Sequence, residues 1–424
     1  MLALGLVTFA ASTAGLLLLF EPALSWYYQL AWWSYILIAD GLNRRLGGRS
    51  LIRARPREFL WLTLLSVAWW CVFEALNLRL GNWYYVMDHP ARVARWISGV
   101  VAFATVLPGI VETLELVENL GFFRSLRTRP LRWTRRKEAV SLTLGVLFFA
   151  LPLLWPDTFF HLTWGSFALL LEPWNRRHAR ASFLRDLEAG EAGPLVRTLV
   201  AGLFCGLLWE LWNYWARAKW IYTVPGFADW KLFEMPLLGF MGFPPFAIEC
   251  LVVVRFAQAA GERVAARGRR VGRVAAVAAV AGAAAFTAAV FAASDPTVDS
   301  VYVPVAQMRV LPPDTRARLS ALGLRSQEKL LRALRDVPSR EEWSRRSGIA
   351  VADLEAVRDR VELVTYKGLG EERALQLARL GIGRRDDLAR WPPGALASAL
   401  RAQGVTPRDR FLERRVSVWL RAAD

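Results

Sequence analysis

The chain has 424 residues, 54% of them hydrophobic, with 20 Trp, 3 Cys and a formal net charge of +17. Several apolar runs reach the ~18–20 residues that cross a bilayer, which excludes an ordinary water-soluble protein. Cys71, Cys205 and Cys250 lie in apolar runs with no Cys-x-x-Cys pair, which argues against a disulfide framework.

Nine membrane helices are predicted, at about 2–20, 25–42, 59–79, 96–119, 139–155, 159–174, 195–215, 233–257 and 272–293. The first lacks a basic n-region and is expected to stay as a membrane helix rather than be removed as a signal peptide. Basic clusters at Arg44–Arg57, Arg124–Lys137, Arg176–Arg185 and Arg263–Arg273 follow helices two, four, six and eight. If all four face the cytoplasm, the N-terminus and everything after residue 294 lie outside. A multi-pass protein of the bacterial inner membrane is the expected setting. Anionic lipids are the expected partners of these loops. Arg44, Arg45, Arg176 and Arg177, at the membrane edge, are candidate headgroup contacts or snorkelling helix ends. Asp40 and Glu172 are expected to pair with these arginines or to help position a phosphate. Ser50 and Ser182 fit helix N-caps. The aromatics of the outer connections, Trp83-Tyr84-Tyr85 and Trp220 among them, suit the membrane–water interface.

The strongest pattern is an internal repeat. Ser34, Asp40, Asn43, Arg44 and Arg45 match Ser166, Glu172, Asn175, Arg176 and Arg177 at an offset of 132. Glu74 and Asn77 match Glu210 and Asn213 at an offset of 136. Trp83, Tyr85, Pro108 and Glu112 match Trp220, Tyr222, Pro245 and Glu249 at an offset of 137. The expected fold is all-α and polytopic. Residues 1–121 and 139–258 form two parallel four-helix repeats, separated by a basic loop at 122–138. A basic loop and tether helix occupy 259–300, and a soluble helical domain occupies 307–424. Parallel repeats imply a pseudo-two-fold axis along the membrane normal.

Carboxylates inside apolar helices are costly unless paired, and they mark candidate sites. Glu74, Asn77, Glu210 and Asn213 are the candidate ligand-binding residues, and Glu112 and Glu249 the candidate catalytic acids. Each of the last two follows a proline by four residues, so a kinked helix with a freed carbonyl is expected beside it. The six would line one polar cavity between the repeats. The alternative is that they hold helices together by interhelical hydrogen bonds. His89, His161 and His178 lack ligand-spaced partners, and no Gly-rich phosphate loop follows a strand, so no metal site or cofactor is expected.

From about residue 307 charges become frequent, with 24 Lys+Arg against 16 Asp+Glu. The stretch Lys367-Gly368-Leu369-Gly370, with Ala374, Ala378 and Leu380 after it, resembles a helix-hairpin-helix. The tail as a whole resembles tandem helix-hairpin-helix domains of unknown function found in bacterial proteins. That resemblance implies a hairpin at Lys367, Gly368, Leu369 and Gly370 whose backbone N–H groups touch phosphate in DNA-binding members. Docking of a protein partner or self-association through 307–424 is the preferred expectation, and nucleic acid the lesser one. In the membrane half, the order Glu/Asn, Gly-x-Trp-x-Tyr, Pro-x-x-x-Glu is similar to duplicated integral-membrane lycopene cyclases, with single acids after the proline where that family has pairs. This likeness implies acid-catalysed isoprenoid or carotenoid chemistry, with Glu112 and Glu249 as proton donors oriented by Asn77 and Asn213. The expected function is an intramembrane acidic pocket for a lipophilic or lipid-like ligand, with a helix-hairpin-helix interaction domain attached. A proton-coupled transporter and a membrane-anchored scaffold or DNA-binding adaptor are the remaining alternatives, so catalysis itself is left open.

Overall fold

Serine caps, prolines and glycines divide the chain into two runs of elements with the same order. A computed structural model describes residues 1–224, 230–404 and 411–421. Parts of the predicted tail, 405–410 and 422–424, lie outside these. Helices α1 (Leu2–Leu17) and α2 (Ala23–Arg45) pack together. Ser50 caps the one-turn α3 (Leu51–Ala54), its Oγ accepting from Arg53 N at 2.9 Å. Helix α4 (Pro56–Leu80) opens on a proline and stops at Gly81, whose φ of +61° suits glycine. Strand β1 (Trp83–Val86) follows, then α5 (Arg92–Phe103) and α6 (Val106–Asn119).

The second run repeats this. Helices α7 (Arg135–Leu154), α8 (Pro156–Phe159) and α9 (Ser166–His178) lead to Ser182, which caps α10 (Phe183–Glu188) by accepting from Arg185 N at 3.3 Å. Helix α11 (Gly193–Trp215) and strand β2 (Lys219–Tyr222) come next. A small extra hairpin, β3 (Lys231–Leu232) and β4 (Met235–Pro236), precedes α12 (Phe243–Ala265). Helix α13 (Arg269–Ser294) lies against α4 and α12.

The expected proline kinks occur as helix starts. Proline 108 removes an N–H, and the helix breaks one turn before it, between α5 and α6. Ser66 bridges that break: its Oγ donates to Phe103 O at 2.5 Å and accepts from Leu107 N at 3.0 Å. The break is thereby satisfied rather than left open beside Glu112. At the matching position in the other run stands Gly202, where a Cβ would fall 2.7 Å from Phe243 O at the head of α12.

Among the described residues, six helical stretches are long and apolar enough to cross a membrane: Pro56–Leu80, Arg92–Asn119, Arg135–Leu154, Gly193–Trp215, Leu237–Ala265 and Arg269–Thr297. Of the other three predicted spans, α1 has 16 residues and α9 has 13. Helix α2 buries the polar Gln29, Ser34, Asp40 and Asn43. The molecule is mostly helical, but the all-α expectation missed two short antiparallel ribbons, β1–β2 and β3–β4.

The tail contains α14 (Pro313–Ala321), α15 (Gln327–Ala333), α16 (Val337–Ser347) and α17 (Val351–Thr365). It continues through α18 (Gly370–Ala378), α19 (Arg385–Leu388), α20 (Pro393–Ala402) and α21 (Leu412–Arg421). These helices close over a core of their own that includes Leu319, Leu354, Val361, Leu377, Leu396 and Trp419.

Candidate functional site

The β1–β2 ribbon joins the two runs at their related positions. Trp83 pairs with Tyr222, Tyr84 with Ile221, and Tyr85 with Trp220. Because Trp83 corresponds to Trp220 and Tyr85 to Tyr222, this register is the one a two-fold axis between Tyr84 and Ile221 produces. Side chains alternate across a strand. Trp83, Tyr85, Trp220 and Tyr222 pack with the helical core, whereas Tyr84, Val86 and Ile221 pack with Met87 and with Val418 of the tail. Asn77 and Asn213 anchor the two strands. Asn77 Nδ2 donates to Trp83 O at 2.8 Å, and its Oδ1 accepts from Asn82 N at 2.8 Å. Asn213 Nδ2 donates to Trp220 O at 3.0 Å, and its Oδ1 accepts from Trp220 N at 3.1 Å.

Beneath the ribbon lies a cavity of about 190 Å³, walled by Tyr28, Trp70, Trp83, Tyr85, Trp209, Trp220 and Phe246. Val290 and Phe291 of α13 complete one wall, so the predicted tether contributes to the site. Glu74 faces into it. Its Oε1 accepts from Tyr85 OH at 2.6 Å, Trp70 Nε1 at 2.9 Å and Trp83 Nε1 at 3.2 Å. No described residue donates to its Oε2.

The other five expected residues do not line this cavity. Glu210 is fully buried and accepts from Tyr222 OH at 2.6 Å, with its second oxygen unpartnered. At the position matching Trp70 stands Gly206, where a Cβ would fall 2.3 Å from the Phe243 ring. The second copy therefore lacks the counterpart of the Trp70 indole, and the only side chain that donates to Glu210 among the described residues is Tyr222. Glu112 is buried with Asn43, whose Nδ2 donates to its Oε2 at 2.8 Å. Glu249 is buried at the head of α9 and accepts from Phe167 N at 2.8 Å. Each of these two is thus tied to a neighbouring helix.

The membrane-edge expectations also divide. Asp40 accepts from Ser50 Oγ at 2.8 Å and Ile52 N at 3.0 Å, and Glu172 accepts from Ser182 Oγ at 2.7 Å and Leu184 N at 3.1 Å. Both carboxylates hold the following short helix, not the adjacent arginines. Arg176 pairs with Glu188 at 2.7 Å and Arg177 pairs with Glu138. Arg44 and Arg45 are exposed and form no ion pair among the described residues.

The Lys367–Gly370 hairpin does not face solvent. Gly368 has φ +65°, and a Cβ there would fall 2.4 Å from Val86 of β1. Its carbonyl accepts from Ser300 Oγ at 2.5 Å, and a Cβ on Gly370 would fall 2.3 Å from Ser300 Cβ. Lys367 Nζ reaches Glu234 at 3.1 Å, and Lys219 reaches the same carboxylate at 3.0 Å. Burial pushes Glu234 up, but the two ammonium groups outweigh it and hold its carboxyl below the usual range. Asp299 sits between Arg415 at 2.6 Å and Arg373 at 3.3 Å. Arg217 bridges Glu21 at 2.5 Å and Glu328 of the tail at 2.6 Å. The expected phosphate-contacting backbone is therefore occupied by Val86 and Ser300 of the chain itself.

Residues 310–423 match the family model of a domain of unknown function (DUF4332). The match covers the tail alone, so the DUF4332 region is the part that rests its hairpin on β1. No curated protein and no solved structure matches the chain. Among the described residues, no group of three or more His, Cys, Asp or Glu is placed to hold a metal ion.

Sequence reasoning missed the ribbon and the donors around Glu74. A signal was available. The repeat preserves Trp83/Trp220 and Tyr85/Tyr222 but changes Tyr84 to Ile221, which is the period of two expected of a strand. Glu234 has no acidic counterpart in the first copy and Asp299 lies beyond the repeats, so neither gave a comparable signal.

Proposed function

We propose that the chain is a multi-pass membrane protein that binds one lipophilic molecule in the aromatic cavity beneath the ribbon, with Glu74 as its polar contact. The observation that carries this reading is a cavity of about 190 Å³ walled by aromatic rings, into which one buried carboxylate projects. Binding sites are mostly apolar hollows with few, well-placed polar groups, and this one has that make-up. In this reading α1, α2 and α9 complete nine crossings in two parallel units of four, with α13 as the ninth. The basic clusters lie at the helix ends opposite the ribbon. The positive-inside rule then puts them in the cytoplasm and the DUF4332 region on the outer side. That region acts as a fixed cover over the ribbon. Glu112, Glu249, Glu210, Asn77 and Asn213 serve as structural ties. Acid-catalysed chemistry on a bound isoprenoid would fall to Glu74, the acid that reaches the cavity.

The test is retention of a ligand. Wild-type protein purified in mild detergent is expected to carry a lipophile visible by native mass spectrometry, or to take one up saturably with a change in tryptophan emission. Ala102→Trp, which fills the cavity, is expected to remove that binding. A wild type with no bound lipophile and no saturable uptake would overturn the reading.

A further inference from the structure

One charged group at the cavity has no partner of opposite sign. The cavity's two cations each have a carboxylate, shared in both cases with a second cation, Arg92 at Asp295 and Lys367 at Glu234. Arg95 lies 2.8 Å from Asp295, and Lys219 lies 3.0 Å from Glu234. Glu74 has no such partner. Its three donors are a phenol and two indoles, all on Oε1, and among the described residues no Lys or Arg forms an ion pair with it. The carboxylate of Asp88, also at the cavity, accepts from the neighbouring His89 N at 2.7 Å and from no other described residue. An isolated carboxylate in apolar surroundings is stabilised most by a cation that arrives with the ligand. Aromatic walls favour the same charge, because the ring face carries a negative quadrupole that attracts an ammonium centre.

We infer that the ligand is an amphiphile bearing an organic ammonium group, its cation set against Glu74 Oε2 among the aromatic walls. This rests on the lipophilic-cavity reading above and narrows it. Three donors hold Oε1 in place, leaving Oε2 to meet the ammonium. A lipid headgroup and a free amphiphilic cation both supply such an ammonium; the shared chemistry is a positive nitrogen on an apolar body.

Full-length protein in phosphatidylglycerol nanodiscs, titrated with decyltrimethylammonium and with decanol, separates the possibilities through tryptophan emission. The wild type is expected to bind the cation at least tenfold more tightly than the alcohol. Glu74→Gln is expected to abolish that preference, while Glu210→Gln, outside the cavity, keeps it. Native mass spectra from nanodiscs containing phosphatidylethanolamine or phosphatidylcholine distinguish the sources. A retained zwitterionic lipid that decyltrimethylammonium displaces assigns the headgroup, and its absence with tight binding of the probe assigns a free cation. Equal affinity for probe and alcohol would overturn the ammonium assignment and leave the lipophilic cavity standing. Saturable binding of neither would overturn both. The comparison of the two probes on the wild type decides the matter even if Glu74→Gln fails to fold.

Discussion

Glu74 and Glu210 occupy equivalent positions and have different surroundings, and one part of the difference comes from a single exchange. Trp70 donates an indole N–H to Glu74, whereas Gly206 leaves room for the Phe243 ring. Sequence comparison of the copies showed the shared acids but not the fate of each oxygen, because donors such as Tyr85 reach Glu74 across eleven residues of chain. The asparagines were legible as polar groups on the acid-bearing face. Their actual role is to hold a strand, which became visible only with the backbone. Asn213→Ala removes two hydrogen bonds and leaves Trp220 N and O to find others, a loss of about 1–3 kcal/mol for a buried polar group left unpaired. The expected outcome is a lower thermal unfolding midpoint in detergent with the Glu74 side of the ribbon still able to bind ligand. An unchanged midpoint would show that the anchor is dispensable.

At the level of elements, repeat matching located most of the helices because apolar length and serine, proline and glycine punctuation are local. The ribbon was hidden because Trp-Tyr-Tyr is also the composition of a membrane-interface belt. The stretch from Lys367 to Gly370, expected to be the turn of a helix-hairpin-helix, has Gly368 and Gly370 at positive φ, and Gly368 packs on β1, far away in sequence. That contact is charge-dependent. Glu234 is depressed in the docked state, so it contributes stability above the ordinary glutamate range, and that contribution is lost as pH falls through and below it. Hydrogen exchange across β1, β2 and the Lys367 hairpin is expected to be slow at neutral pH and to accelerate on acidification. Glu234→Gln is expected to show fast exchange at both, with the pH step flattened. Acid-insensitive exchange in the wild type would remove Glu234 from this role.

Over the whole molecule, the long apolar helices carry the basic clusters at one end and the ribbon with its covering domain at the other. The long apolar helices were readable from sequence. The covering domain's fixed position was not, because Asp299, Glu234 and Arg217 pair across 74 to 133 residues with groups that no local pattern links to them. The inferred orientation has a direct check. The three native cysteines are buried, so Glu342→Cys on the exposed face of α16 supplies a single accessible thiol. It is expected to react with an impermeant maleimide added to intact cells. Reaction only after lysis would place the domain inside.

The exchange of Trp70 for Gly206 has a bearing on stoichiometry. At Gly206 the Phe243 ring stands where the first copy has the Trp70 indole, so of the two equivalent acids Glu74 alone opens on the cavity. Both copies wall that one cavity, the second through Trp209, Trp220 and Phe243. If it takes a ligand as proposed, occupancy should therefore level off at one molecule per chain.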